Sequence, residues 1–129
     1  LFVDGRAVHP ADTVSYKGVM FSGVPNLVST FGYINASWTL KADLTARYVC
    51  RLLNHLQRSG HRVALPPEPP PGEPRLPAVE LASGYFERGR ATMPRQGAHA
   101  PWKLNQDFLA DWWALRCKPV ADGVLQFRD

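Results

Sequence analysis

The sequence is poor in cysteine, with only Cys50 and Cys117, which stand far apart and outside any CxxC pair. A disulfide framework is therefore not expected, and a reduced, cytoplasmic chain is. Cys50 lies between Val49 and Leu52 in an apolar helical pattern. This position predicts a small buried hydrophobe rather than a reactive thiol.

Long apolar runs and clustered charges are also absent. No stretch of about 18 apolar residues occurs, so we expect no membrane-spanning helix. The 15 basic and 11 acidic residues give a net charge of +4, but the basic residues are dispersed. A nucleic-acid partner usually requires a clustered basic face and is not expected. The start, LFVDGRAVHP, lacks an initiator Met and a signal peptide, so we expect a processed or excised piece of a longer protein.

Complete catalytic motifs are missing as well. The sequence contains no GxGxxG, no phosphate-binding P-loop and no GxSxG. Its four histidines and two cysteines do not have the spacing of a zinc site. We therefore assign no catalytic residue and no metal ligand from motifs.

What the sequence has in abundance is proline, and seven of its 12 prolines fall in residues 63–80. Proline lacks the N–H group and fixes φ, so this segment is predicted to be an extended, solvated linker. It divides the chain into residues 1–62, the linker 63–80 and a C-terminal extension, residues 81–129. The linker is either a semi-rigid connector or, through PPEPPP, a ligand for an aromatic-lined groove.

The first part is predicted to contain short strands followed by one long helix. Asp4-Gly5 predicts a hairpin turn, and residues 16–22 and 27–31 read as strands. Leucines at helical spacing predict a helix near residues 38–58. Its N-cap is Ser37 or, alternatively, Asn35, and Gly60 ends it.

The second part is less regular. Residues 81–91 are interrupted by two glycines and read as a turn or a broken helix. A helix capped by Asn105 is predicted near residues 105–116, with Asp107 and Asp111 on a solvated face, and residues 123–127 read as a strand. The chain as a whole is expected to be an α+β piece.

The strand-to-helix junction within FGYINASWTLKADL, residues 31–44, is the one candidate site. A helix that opens after a strand presents unpaired backbone N–H groups and about half a positive charge. Tyr33, Asn35, Ser37 and Trp38 cluster there. From the residues alone, the junction is either a capped helix with a packed tryptophan or a site for a bound anionic ligand.

The same residues resemble a known family. SGVPN (residues 22–26), FGYINASWTLKADL and YVCRLLNHL (residues 48–56) are similar to the C-terminal part of class B flavoprotein monooxygenases, in their FAD-containing, Baeyer–Villiger-like branch. SGYFERGRATMPRQG (residues 83–97) and APW (residues 100–102) resemble the tail of that branch.

The resemblance implies a parent α/β protein with two dinucleotide-binding domains, one for FAD and one for NADPH. It implies insertion of one oxygen atom from O2 into a ketone or heteroatom of a small organic substrate. Residues 1–62 would then be the C-terminal end of the FAD-binding domain. The glycine-rich nucleotide-binding motifs of the family are absent, so this chain alone is expected to be inactive and to bind FAD poorly.

Carried over residue by residue, the resemblance implies that the junction faces the flavin. The matching cofactor-binding residues are Asn35, Ala36, Ser37, Trp38 and Thr39. The backbone N–H groups of Trp38 and Thr39 are the predicted donors, and Tyr33 and Trp38 are predicted to wall the ring or the substrate pocket.

A second reading remains open, in which the chain is a stand-alone, non-catalytic protein-interaction module. Under the enzyme reading its partners are the missing FAD and NADPH domains. A piece cut from such a parent would expose apolar surface, so self-association is also expected.

Overall fold

The computed structural model describes residues 1–78 and 88–129. They form a small α+β fold of two-stranded antiparallel pairs around one long helix, which confirms the predicted class. The predicted turn or broken helix at residues 81–91 lies largely outside the described residues. Among the described helices, none is long and apolar enough to cross a membrane.

Two hairpins open the chain. Strands β1 (Phe2–Val3) and β2 (Arg6–Ala7) pair around Asp4 and Gly5, which both have positive φ, as the hairpin prediction requires. Strands β3 (Ser15–Tyr16) and β4 (Met20–Phe21) pair with Tyr16 opposite Met20. The predicted strand at residues 16–22 is therefore a tight hairpin.

The predicted strand at residues 27–31 is wrong, because this segment is irregular. Its backbone bonds elsewhere: the Ser29 N–H donates to the Val19 carbonyl at 2.8 Å. These residues have a high β-propensity, but a strand also requires a neighbouring strand to pair with, and the tertiary fold decides whether there is one.

Helix α1 (Trp38–Ser59) confirms the long predicted helix and its caps. Ser37 is the N-cap, and Gly60 ends the helix in the left-handed conformation that glycine adopts without strain. The buried face carries Lys41, Leu44, Thr45, Tyr48, Leu52 and Leu56. Cys50 lies about 200° around the helix from Tyr48 and is exposed, so its predicted burial is wrong.

The proline-rich segment is less solvated than predicted. Strand β5 (Val63–Leu65) begins it and pairs with β8 (Gln126–Arg128), and Pro66 is fully buried. Strand β6 (Leu76–Pro77) pairs with β7 (Arg95–Gln96). Proline is tolerated at such short edges because few ladder hydrogen bonds are required there.

The second helix is shorter than predicted. Helix α2 (Phe108–Trp112) continues into a π-helical turn, Trp113–Cys117. Asp107, not Asn105, caps it, because its Oδ1 accepts from the N–H of Leu109 at 2.8 Å. The final strand is β8 at residues 126–128 rather than 123–127.

Both helices meet one core. Its aromatic members are Tyr16, Tyr48 and Trp102, with Leu115 from the π-helical turn and Leu125 near β8. Residues from before and after the proline-rich segment therefore pack together, which places the C-terminal residues against the start of α1.

Candidate functional site

The N-terminus of α1 is open to solvent and carries no neutralising acid. Asn35, Ala36, Ser37, Trp38 and Thr39 are all exposed. The first turn of α1 contains no acidic residue, so the positive end of the helix dipole is not compensated there. An exposed helix N-terminus of this kind favours an anionic ligand.

The backbone donors at this end are partly used. The Ser37 hydroxyl accepts from the Thr39 N–H at 3.3 Å, and the Ser37 carbonyl accepts from Leu40 at 3.3 Å. Both bonds are long. A ligand acceptor that takes the Thr39 N–H, as predicted, would have to displace the Ser37 hydroxyl.

Trp38 packs back over the loop that precedes the helix. Its ring centroid lies 5.5 Å from that of Phe31, and the ring covers Gly32. A Cβ on Gly32 would lie 2.2 Å from the ring, so this position requires glycine for space. Trp38 remains 56% exposed, which leaves much of the indole available to a partner.

Tyr33 points the other way, into the protein. It is only 3% exposed, and its hydroxyl donates to Asp111 Oδ2 at 2.6 Å. Burial, followed by the bond to Asp111, raises the pKa of Tyr33 well above its ordinary value. Its predicted place in a substrate pocket stays a prediction, while the chain itself gives it a structural contact.

Asp111 is the centre of a buried cluster that sequence reasoning missed. Its Oδ2 also accepts from Lys41 Nζ at 2.8 Å, and its Oδ1 accepts from Asn105 Nδ2 at 3.3 Å. Asp111 is 2% exposed and Lys41 3%. The predicted solvated face at Asp111 is therefore wrong, because the carboxylate is paired inside the fold.

One signal could have revealed this cluster. Lys41 falls on the same helical face as Leu44 and Tyr48, which form the core side of α1. A lysine on a buried face requires an acidic partner. The identity of that partner, 70 residues away, is set by the tertiary fold alone.

A second buried cluster joins the β3–β4 hairpin to the C-terminal segment. Tyr16 donates to Asp122 Oδ2, and Lys17 Nζ lies 3.0 Å from the same oxygen. Burial would raise the pKa of Asp122, but the bonds from Tyr16, two backbone N–H groups and Lys17 hold it below its ordinary value. This cluster secures the core rather than the junction.

No cluster of three or more His, Cys, Asp or Glu side chains suited to a metal occurs within residues 1–78 and 88–129.

The chain is similar in sequence to known proteins along almost its whole length. The chain is 41% identical over 124 residues to the FAD-containing monooxygenase EthA of Mycolicibacterium smegmatis, an alignment that covers 96% of the chain. It is 45% identical over 127 residues, 97% of the chain, to AlmA of Acinetobacter baylyi, described as a probable FAD-binding monooxygenase. The chain is homologous to a segment of FAD-containing monooxygenases.

The match is to part of these relatives only. The chain spans about a quarter of their length, 25% in both cases. No protein-family model and no solved structure matches the chain. The resemblance to FAD-containing monooxygenases is thus confirmed, and the roles of residues 33–39 stay predictions.

Proposed function

We propose that this chain supplies the flavin-facing end of an FAD- and NADPH-dependent monooxygenase. The parent enzyme would insert one oxygen atom from O2 into a ketone or a heteroatom of a small organic substrate, as in the Baeyer–Villiger-like branch. The observation that carries the proposal is the open N-terminus of α1. Every residue predicted to face the cofactor, from Asn35 to Thr39, is exposed there.

The residues present suit this role. Reduced flavin carries negative charge at its pyrimidine edge, and a helix N-terminus stabilises such charge through its N–H groups and dipole. The first turn of α1 adds no acid that would oppose it. When bound, FAD would supply the redox chemistry, with NADPH as the reductant.

The chain's own residues would bind and orient rather than react. The N–H of Trp38, and that of Thr39 if the Ser37 hydroxyl yields, would donate to the anionic edge. The exposed face of Trp38 would cover the ring or the substrate and exclude water. The FAD and NADPH sites would be completed by the missing domains, in keeping with homology limited to a quarter of the relatives' length.

The experiment is to purify the full-length product of the gene that encodes this chain. We expect a yellow protein that oxidises NADPH and transfers oxygen to ketone or thioether probes. A colourless protein without NADPH oxidation would contradict the proposal. The isolated 129-residue chain should not retain FAD.

Two substitutions in the full-length protein test the assignment of the junction. Trp38→Ala removes the exposed indole, and Thr39→Pro removes one predicted donor in the first turn of α1, where backbone N–H groups have no partner within the helix. Each should alter the flavin absorbance or lower the product formed per NADPH consumed. Unchanged flavin binding and coupling in both variants would remove residues 38 and 39 from the site.

A further inference from the structure

A single buried carboxylate holds both sides of the predicted flavin-facing segment. Tyr33 lies two residues before Asn35, and Lys41 lies two residues after Thr39. Both side chains donate to the same oxygen, Asp111 Oδ2, at 2.6 and 2.8 Å. Residues 35–39 are therefore an exposed loop and helix start whose two ends are fixed to one point.

The helix that carries Asp111 is itself held by hydrogen bonds near both of its ends. Asp107 caps α2 at its start, with Oδ1 accepting from Leu109 and Ala110. At the other end, Arg51 of α1 donates to the carbonyls of Leu115 at 2.6 Å and Lys118 at 2.7 Å. Helix α2 is thus capped at its start, and the π-helical turn that follows Asp111 is tied to α1 by Arg51.

A third bond runs directly to the loop. The Ile34 N–H donates to Gln106 Oε1 at 3.1 Å. Residues 105–111 therefore contact the loop through its backbone as well as through Tyr33. Movement of this C-terminal segment would carry the loop with it.

Stability alone does not explain a buried ion pair. Its desolvation costs about as much as the attraction returns, and well-packed apolar side chains often serve a core equally well. Charge-assisted hydrogen bonds also fix the relative positions of the groups that they join, because the donors must lie at set positions around the carboxylate oxygens. Lys41, Tyr33 and Asn105 meet that requirement in a site that is almost closed to solvent.

We propose that Asp111 is a positioning residue, which holds the start of α1 and residues 33–37 in the orientation that the flavin site requires. The proposal rests on the proposed function. The segment beyond the proline-rich stretch would then have a role at the flavin site, although Asp111 itself would not contact the cofactor. Asp111 would act on the start of α1 and the loop through its bonds to Tyr33 and Lys41.

The test uses Asp111→Asn in the full-length protein. The amide keeps the shape but loses the charge, so Lys41 is left without its counterion and the loop loosens. A displacement of about 1 Å at a reacting centre can cost on the order of 100-fold in rate. We expect a changed flavin absorbance spectrum and about 10- to 100-fold less product per enzyme, with NADPH oxidation retained in part.

The matched control is Asp43→Asn, the same substitution on α1 itself. Asp43 is exposed and pairs with Arg47 at 2.8 Å. Its flavin spectrum and coupling should equal those of the unaltered protein. A second variant, Tyr33→Phe, removes one hydroxyl and leaves the ion pair between Lys41 and Asp111 in place. It tests the same inference if Asp111→Asn fails to fold.

Tyr33→Phe should shift the spectrum and coupling in the same direction, by less. The double variant should show the same flavin spectrum and coupling as Asp111→Asn alone, because both substitutions interrupt the same set of contacts. Normal spectra and coupling in Asp111→Asn and Tyr33→Phe would overturn the inference while the proposed function stands. An unaltered protein without flavin would overturn the proposed function, and this inference with it.

Discussion

At the scale of single residues, burial changes the chemistry of the core tyrosines. Tyr48 is 1% exposed on the inner face of α1, and Lys17 Nζ lies 5.8 Å from its ring centroid. Burial, and next the charge of Asp122, raises the pKa of Tyr48 to about 12. The pKa of Tyr16 is raised in the same direction, chiefly by burial.

These shifts predict a loss of stability at alkaline pH. The pKa of Tyr48 is higher in the folded than in the unfolded chain. The contribution of Tyr48 to the free energy of unfolding is therefore complete below about pH 10 and is lost as the pH rises toward 12. Tyr48 alone should lower the free energy of unfolding by about 2 to 3 kcal/mol across that interval. Urea denaturation of the 129-residue chain over this range measures the slope.

The variant Tyr48→Phe isolates this contribution. Its stability should decline less steeply above pH 10, because one titrating group is gone from both states. A slope equal to that of the unaltered chain would show that Tyr48 does not contribute to the alkaline loss.

At the scale of elements, prediction from sequence depended on how local the signals were. Helix α1 was predicted almost to the residue, because its cap Ser37, its leucine spacing and its stop Gly60 all lie within the element. Strand β5 was missed, because it lies at the start of the proline-rich segment and its partner β8 is about 60 residues away. The junction was located by its resemblance and its cap, but its link to Asp111 depends on packing that no local pattern encodes.

The contact between α1 and the π-helical turn yields a second prediction. Arg51 donates to two carbonyls at the end of that turn, where backbone acceptors otherwise lack partners. Arg51→Ala should lower the free energy of unfolding by about 1 to 3 kcal/mol, since hydrogen bonds to charged groups are among the stronger ones.

Arg47→Ala, one turn earlier on α1, serves as the control for Arg51→Ala. Arg47 makes an exposed i,i+4 pair with Asp43, which contributes little in solvent. Thermal or urea denaturation of both variants measures the two changes in the free energy of unfolding. Equal effects in the two would contradict a specific tie between Arg51 and the turn.

At the scale of the whole molecule, the elements around the junction carry several large apolar side chains that are exposed to solvent. We call these residues the tryptophan surface: Ile34, Trp38, Leu109, Trp112 and Trp113. The elements that carry them are joined through Tyr33 to Asp111 and through Ile34 to Gln106. An interface with another protein surface would cover such exposed apolar side chains.

The isolated chain should therefore self-associate, as the sequence also led us to expect. Leu109 is 71% exposed and Trp113 57%, so burying them between two copies would remove apolar area from water. Light scattering at increasing concentration should report a mass above that of the 14.4 kDa monomer. The double variant Leu109→Ser, Trp113→Ser should return the mass to the monomer, whereas Phe2→Ser, on hairpin β1–β2 and 74% exposed, should not. A monomeric mass for the unaltered chain at high concentration would contradict this prediction, and equal effects of both changes would remove the tryptophan surface as its cause.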